Sequence, residues 1–263
     1  MNRLFAVLGL ALCLGACVSA GIAPPKEASA RLRNVHIVPM EPHPLGVPPG
    51  FDLVALGSGG SIATARGFAV FNTIAILSEL PEASKRSGEL SLSYQAVLDQ
   101  KGAWVPTAVL ANEVQAQLAA QGIQATVAPR VKPIPGVKDR SPTLFMENWL
   151  APIRAWYNDT APTPDYGDHP WDKSLYVLEV GVINYEIDRA GGLLLQVAMK
   201  VIDPASGQVI GRARAANPWN MPKLAPLDQA FADNGSRFKD AFVLTGRESA
   251  RRCLAELGLL GRE

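Results

Sequence analysis

The stretch from residue 175 to residue 215 restricts the fold more than any other. Leu175 to Ile187 is strand-like, Arg189-Ala190-Gly191-Gly192 supplies a turn, Leu193 to Ile202 is strand-like again, Pro204-Ala205-Ser206-Gly207 supplies a second turn, and Gln208 to Ala215 forms a third strand-like run. Runs joined by connections this short pair antiparallel, so the sequence predicts a three-stranded meander. Along its middle strand Leu193, Leu195, Val197, Met199 and Val201 share one face. Gln196 and Lys200 fall on the other, with Leu194, Ala198 and Ile202, because successive side chains alternate across a sheet. One face is therefore wholly apolar and must be covered by helices. The opposite face is mixed.

Upstream, Asn34 to Met40 reads as a strand with Val35 and Ile37 on one side and His36 and Val38 on the other. Pro39, Pro42, Pro44, Pro48 and Pro49 then exclude regular ladder or helix through residue 50, which predicts extended chain lying along a surface. In Phe51 to Leu80, Arg66 is the only charge between Asp52 and Glu79, and Gly57, Gly59, Gly60 and Gly67 crowd the first half. Three readings stay open for it: a buried helix or strand, a patch that leans on a membrane or partner, or a second membrane span. Arg66 and the glycines weigh against the span.

Leu90 to Leu98 alternates as a strand would, with Lys101-Gly102 as its turn. Pro106 suits the first turn of a helix running to Ala120, with Val109, Leu110, Val114 and Leu118 on one side and Gly122 past its end. Ile123 to Val127 is a short strand, and residues 128–142 are a proline-punctuated loop. A second helix from Pro142 or Thr143 to Asn158 is expected to kink or split at Pro152. An acid-rich loop follows to Asp172. The last helix runs from the N-cap Ser236 to Leu257, with Phe238, Phe242, Cys253 and Leu257 on its stripe and Gly258 as the stop.

The predicted class is α+β: a mainly antiparallel sheet, with the C-terminal three-stranded meander, and helices packed on one face. The body is read as residues 34–263, with a Pro/Gly-rich apolar segment at 40–90. This order, with the turn Asp203-Pro204-Ala205-Ser206-Gly207 after a long hairpin, resembles the periplasmic domain shared by the TolB amino-terminal module and the curli-secretion type of lipoprotein. The resemblance spans about residues 104 to 258, and segment 40–90 departs from it. It implies envelope assembly, secretion or scaffolding, and no catalytic site to carry over.

The start of the chain supplies an address. Met1-Asn2-Arg3 is basic, Leu4 to Leu14 is an uncharged apolar run, and Gly15-Ala16 is a small-residue exit, which is the grammar of an export signal. A helix of about eleven residues covers little more than half of the ~30 Å hydrocarbon layer, so it is too short to span. Leu14-Gly15-Ala16-Cys17 resembles the lipobox of bacterial lipoproteins. That resemblance implies removal of residues 1–16 and a diacylglyceryl thioether on Cys17, usually with an acyl chain on its new amine. Membrane lipid is thus the first expected partner. Each buried methylene contributes about 0.8 kcal/mol and two chains suffice for stable anchoring. Val18 stands where inner-membrane retention signals carry aspartate, which favours the outer membrane, facing the periplasm. Residues 17–33 are read as the acylated cysteine and a flexible tether. An ordinary signal peptide with a chance cysteine is the alternative.

Composition excludes several function classes. Lys plus Arg number 25 against 24 for Asp plus Glu, a neutral balance that argues against nucleic-acid binding. Hydrophobic residues make up 48%, enough for a substantial core. Cys13 leaves with the signal and Cys17 carries lipid, so Cys253 remains alone, without an intramolecular disulfide partner, and its apolar helical setting predicts a buried thiol. His36, His43 and His169 are the only histidines, and neither H-E-x-x-H nor C-x-x-C occurs, so no metal site is expected. Gly57-x-Gly59 completes no phosphate loop, and Ser236-Arg237-Phe238-Lys239 spells S-x-x-K without the motifs that accompany it in acyl transfer. Asp159, Asp165, Asp168 and Asp172 lack calcium-loop spacing.

No cofactor and no enzymatic activity is expected. The remaining candidate site is the aromatic group Trp149, Trp156, Tyr157 and Trp171, read either as core packing or as a partner-binding patch for an envelope protein, a glycan or a second copy. A lipid or small-molecule carrier with residues 51–80 as a pocket wall is the alternative function.

Overall fold

The computed structural model describes residues 21–29, 32–47, 73–140, 146–162, 175–188, 191–203, 205–216, 222–224 and 226–260. The fold is α+β, built on one five-stranded sheet in the order β2-β1-β3-β4-β5. Strand β1 is Asn34–Pro39, β2 Gln124–Val127, β3 Tyr176–Ile187, β4 Leu193–Asp203 and β5 Gln208–Ala216. The meander forms as its turns require, with β3 and β5 both antiparallel to β4. On the far side β1 lies parallel to both β2 and β3.

Among the described residues, four helices of eight residues or more accompany the sheet: α1 Thr73–Leu98, α2 Pro106–Ala120, α3 Ala151–Asn158 and α4 Ala232–Glu256. Helix α2 begins with proline at its first turn and buries Leu110, Ala111, Val114 and Leu118. These meet Phe238, Phe242, Cys253 and Leu254 of α4 over the apolar face of the meander, in one core cluster with Leu195, Val197 and Met199. In α4, Asp233, Asn234 and Gly235 have left-handed backbones (φ 49°, 60° and 70°), so the regular right-handed course starts at Ser236. Glycine is needed at the third of these. A Cβ on Gly235 would stand 2.6 Å from Leu98 Cδ2.

Four expectations are corrected. Residues 90–98 are helical, not a strand: Ser91 and Leu98 are buried and Leu90, Tyr94 and Val97 pack on the core, whereas Leu92 is 57% exposed. Strand alternation would put Leu92 inside, and the helical repeat puts it outside. The proline-rich stretch after β1 is extended but not superficial, since Leu45 and Val47 join the core. Gly46, which keeps its N–H between these prolines, adds a rung to the sheet, donating to Tyr185 O (2.8 Å) and accepting from Ile187 N (2.9 Å).

The helices also do not keep to one face. Helix α3 covers the mixed face, where Trp149, Ile153, Trp156 and Tyr157 pack with Val38, Met40, Val177, Ala198 and Ile202 in a second cluster. A π turn at Met146–Leu150 leads into α3. Pro152 has no N–H to donate and its ring crowds the carbonyl four residues back, which accounts for the wider turn.

Residues 21–29, expected as part of the tether, are laid on the body. Ile22 exchanges two backbone hydrogen bonds with Arg212 at the edge of β5 (2.7 and 2.8 Å). Of the apolar segment 51–80, residues 51–72 lie outside the described residues and 73–80 are the first turns of α1. Among the described residues no helix is long and apolar enough to cross a membrane.

Candidate functional site

The route of the chain through the parallel part of the sheet creates the site. From β1 it passes over the apolar face through α1 and α2 to β2, on one side of β1. From β2 it passes over the mixed face through α3 to β3, on the other side. Parallel crossovers are right-handed, so connections running in opposite directions along a sheet must use opposite faces. The chain leaving β1 and the chain leaving β2 therefore diverge, and such a switch point leaves a crevice outside the carboxyl ends of the strands.

A groove of about 280 Å³ lies there, lined by Glu41, Pro42, His43 and Pro44 after β1, Ser91, Leu92 and Gln95 of α1, and Trp104, Pro106, Arg140 and Trp149. Its rim is an ion pair. Arg140 reaches Glu41 through Nε (2.5 Å to Oε1) and Nη2 (3.1 Å to Oε2). Ile134 N–H donates to the same carboxylate at 3.3 Å, which fixes it from behind. This pairing raises the already high pKa of the exposed Arg140 guanidinium.

Deeper in, His43 donates from Nδ1 to Pro44 O at 2.7 Å. Burial lowers its pKa to about 4, opposed by that backbone bond, so the imidazole is neutral at pH 7. Trp104 forms the wall on the α4 side, its Nε1–H donating to Tyr185 OH (3.4 Å) and its ring standing 5.2 Å below Lys239 Nζ. Lys239 itself donates to Leu98 O at 2.7 Å, a structural contact for the lysine of the S-x-x-K stretch. Trp149 is buried, and its Nε1–H has no acceptor among the described residues.

Beneath α3 lies a second polar arrangement. Glu179 and Lys200 face each other directly across β3 and β4, and both are buried. Trp156 Nε1–H donates to Glu179 Oε2 (2.7 Å), Lys200 donates to Trp156 O (2.9 Å), and Lys132 approaches Glu179 Oε1 at 3.3 Å. Burial lowers the Lys200 pKa, and the Glu179 and Asp159 carboxylates act in the opposite sense. Arg212 donates to Asn158 O at 3.0 Å. Cations thus meet the carbonyl end of α3, where the helix dipole favours them.

The expected site residues are placed as follows. Cys17 and Trp171 lie outside the described residues, as do Asp165, Asp168, His169 and Asp172. Trp149, Trp156 and Tyr157 come together, but they are 2%, 5% and 1% exposed and pack α3 onto the sheet, so these three rings present no exposed patch. Cys253 is buried against Val197 O, and burial pushes its thiol pKa well up. Asp159 accepts from Ala161 N–H in a local turn. Among the described residues no group of three or more His, Cys, Asp or Glu is placed to hold a metal ion.

The groove residues Glu41, His43 and Arg140 had no local signal, because the prolines around positions 41–44 mark only irregular chain. The Glu179 and Lys200 pair did have one: with the hairpin in register, the two charges fall opposite each other.

No protein-family model matches the chain, and no curated protein matches it. Among solved structures it is similar to the PelC dodecamer from Paraburkholderia phytofirmans, with a TM-score of 0.37 and 12% identity over 93% of this chain and 97% of that one. A variant of that dodecamer in another crystal form gives a TM-score of 0.34 and 11% identity over 91% and 95% of the two chains.

Proposed function

We propose that this protein is a lipid-anchored component of the bacterial outer membrane, facing the periplasm, that acts by binding another envelope protein or a second copy of itself and carries out no reaction. The observation that carries the reading is the tetrad Leu14-Gly15-Ala16-Cys17 placed directly after an apolar run too short to span, and ahead of a folded body. Two reactive side chains of that body support binding over turnover. Cys253 is a buried, protonated thiol, and His43 is a buried, neutral imidazole bonded to backbone. The switch-point groove, with its Glu41 and Arg140 rim, is the surface we assign to a partner.

Replacing Cys17 with serine is the test of the anchor. The Cys17→Ser chain is expected to leave the membrane fraction. A Cys17→Ser chain that stays in that fraction with its signal normally processed overturns the anchor. The binding half is tested by pull-down from detergent-solubilised membranes, where a partner, or an oligomer on sedimentation, is expected. No partner together with a strictly monomeric profile contradicts it.

A further inference from the structure

The N-terminal strap gives the anchored protein an orientation. Ile22 pairs antiparallel with Arg212 at the middle of β5, an edge strand. Pro24, buried, seats its ring on Gly211, where a Cβ would lie 2.7 Å from Pro24 Cγ. Gly21 packs on Glu256 near the end of α4 and on the Arg212 carbonyl. Antiparallel pairing also fixes direction: Gly21 precedes Ile22 toward the higher-numbered end of β5, where Arg214 and Ala216 stand.

Ile22 is five Cα-to-Cα steps along the chain from Cys17. At ~3.6 Å per residue their full extension is about 18 Å, and any other conformation is shorter. The sheet itself is wider than that tether permits the body to ignore: β2 and β5 are its two opposite edges, and four strand spacings of ~4.8 Å separate them by about 19 Å. An acyl anchor on Cys17 therefore keeps the attachment point on β5 within about 18 Å of the bilayer, while the β2 edge can stand about 19 Å farther off.

Charge agrees with the side so chosen. Arg212 and Arg214 stand on β5 and Arg251 and Arg252 on the last turns of α4, with Glu248 and Glu256 as the carboxylates on the same helix end. Arg252 reaches over to Ala216 O at 3.5 Å, which places its guanidinium at the exit of the strap. Arg251 and Arg252 share the Glu248 carboxylate and Glu256 balances the second of them, so the positive excess on this side comes from Arg212 and Arg214 of β5. Anionic phospholipid headgroups attract such groups within about a Debye length of the surface, ~8 Å at physiological salt.

We propose that the β5 edge and the C-terminal end of α4 form the membrane-facing side of the protein, held against the phospholipid surface by the short strap from Cys17 to Ile22. The switch-point groove opens at the carboxyl ends of β1 and β2, toward the other edge of the sheet, and so stays accessible to a partner. This inference rests on the lipid anchor proposed above.

The test uses the full lipid-modified chain in vesicles of phosphatidylcholine and phosphatidylglycerol, with a nitroxide at Ala255→Cys or at Gln121→Cys, the latter beside β2. Collision with a nickel-chelating lipid is expected to be at least threefold stronger at residue 255 than at residue 121. Inserting twelve Gly/Ser residues between Val18 and Ser19 is expected to remove most of that contrast while the protein still floats with the vesicles. Equal accessibility of the two labels on floating vesicles, stronger collision at residue 121, or a contrast that survives the insertion unchanged overturns the orientation and leaves the anchor standing. A chain that does not float at all overturns both.

Discussion

On one face of the sheet Tyr185 is ringed by Phe238, Phe242 and Trp104, while on the other Glu179 and Lys200 lie buried under Trp156 and the end of α3. The first face is held by rings: Tyr185 meets Phe242 edge-on at 5.5 Å, Phe231 stacks on Phe238 at 4.9 Å and Tyr94 on Phe231 at 4.0 Å. Long helices α2 and α4 provide area enough for the hydrophobic effect alone to fix them there. Helix α3 has eight residues, too few to be stable by itself, and it is fixed by hydrogen bonds to charges that the sheet has already buried. A short element on a mixed face gains geometry from polar partners, and long elements on an apolar face gain stability from area.

Substitutions can break that contrast. Phe242→Ala, at a fully buried position, is expected to cost about 4 kcal/mol in denaturant unfolding. Glu179→Gln leaves two ammonium groups without their carboxylate in a dry site, and is expected to cost about 3 kcal/mol. Glu179→Met with Lys200→Met, which removes the charges together, is expected to return to within about 1 kcal/mol of the parent. If the double variant is as unstable as Glu179→Gln, the pair is holding α3 by net attraction and the contrast drawn here is wrong.

Between the two faces, His43 provides a pH readout. Its pKa is lowered to about 4 in the fold from an ordinary 6.5, so the unfolded chain binds the extra proton between those values. Its contribution is complete above pH 6.5 and is lost as pH falls toward 4, amounting to roughly 3 kcal/mol at most. Unfolding midpoints across that window should drop for the parent and drop less for His43→Asn. Among the single substitutions the smallest expected effect, roughly 2 kcal/mol, is for Gly181→Ala, whose new methyl would stand 2.7 Å from the Trp156 ring and push α3 off the sheet. Loss of Trp156 fluorescence shielding at unchanged Phe cluster packing would locate the damage on the mixed face.

Legibility in the sequence follows the same division. The meander was readable because its turns sit in the chain between its strands, and the apolar face because Leu193 to Val201 alternates without interruption. The two parallel neighbours of β1 were not, since the paired residues stand some 90 and 140 positions apart in sequence and no local turn sets parallel pairing. Leu90, Leu92 and Tyr94 alternate by accident of composition on a helix, and Leu92 simply faces out. Lys200 marked the mixed face, but its meaning required the register that sets it opposite Glu179. The groove was hidden because Glu41, Arg140 and Trp149 are far apart in sequence and meet only where the chain changes direction across the sheet.

The anchor is the claim on which orientation and accessibility both depend, and intact mass measurement of the chain extracted from membranes addresses it directly. The expected species begins at Cys17 and carries the added mass of a diacylglyceryl group, with or without a third acyl chain. A chain that begins at another residue, or that begins at Cys17 with an unmodified thiol, contradicts the account.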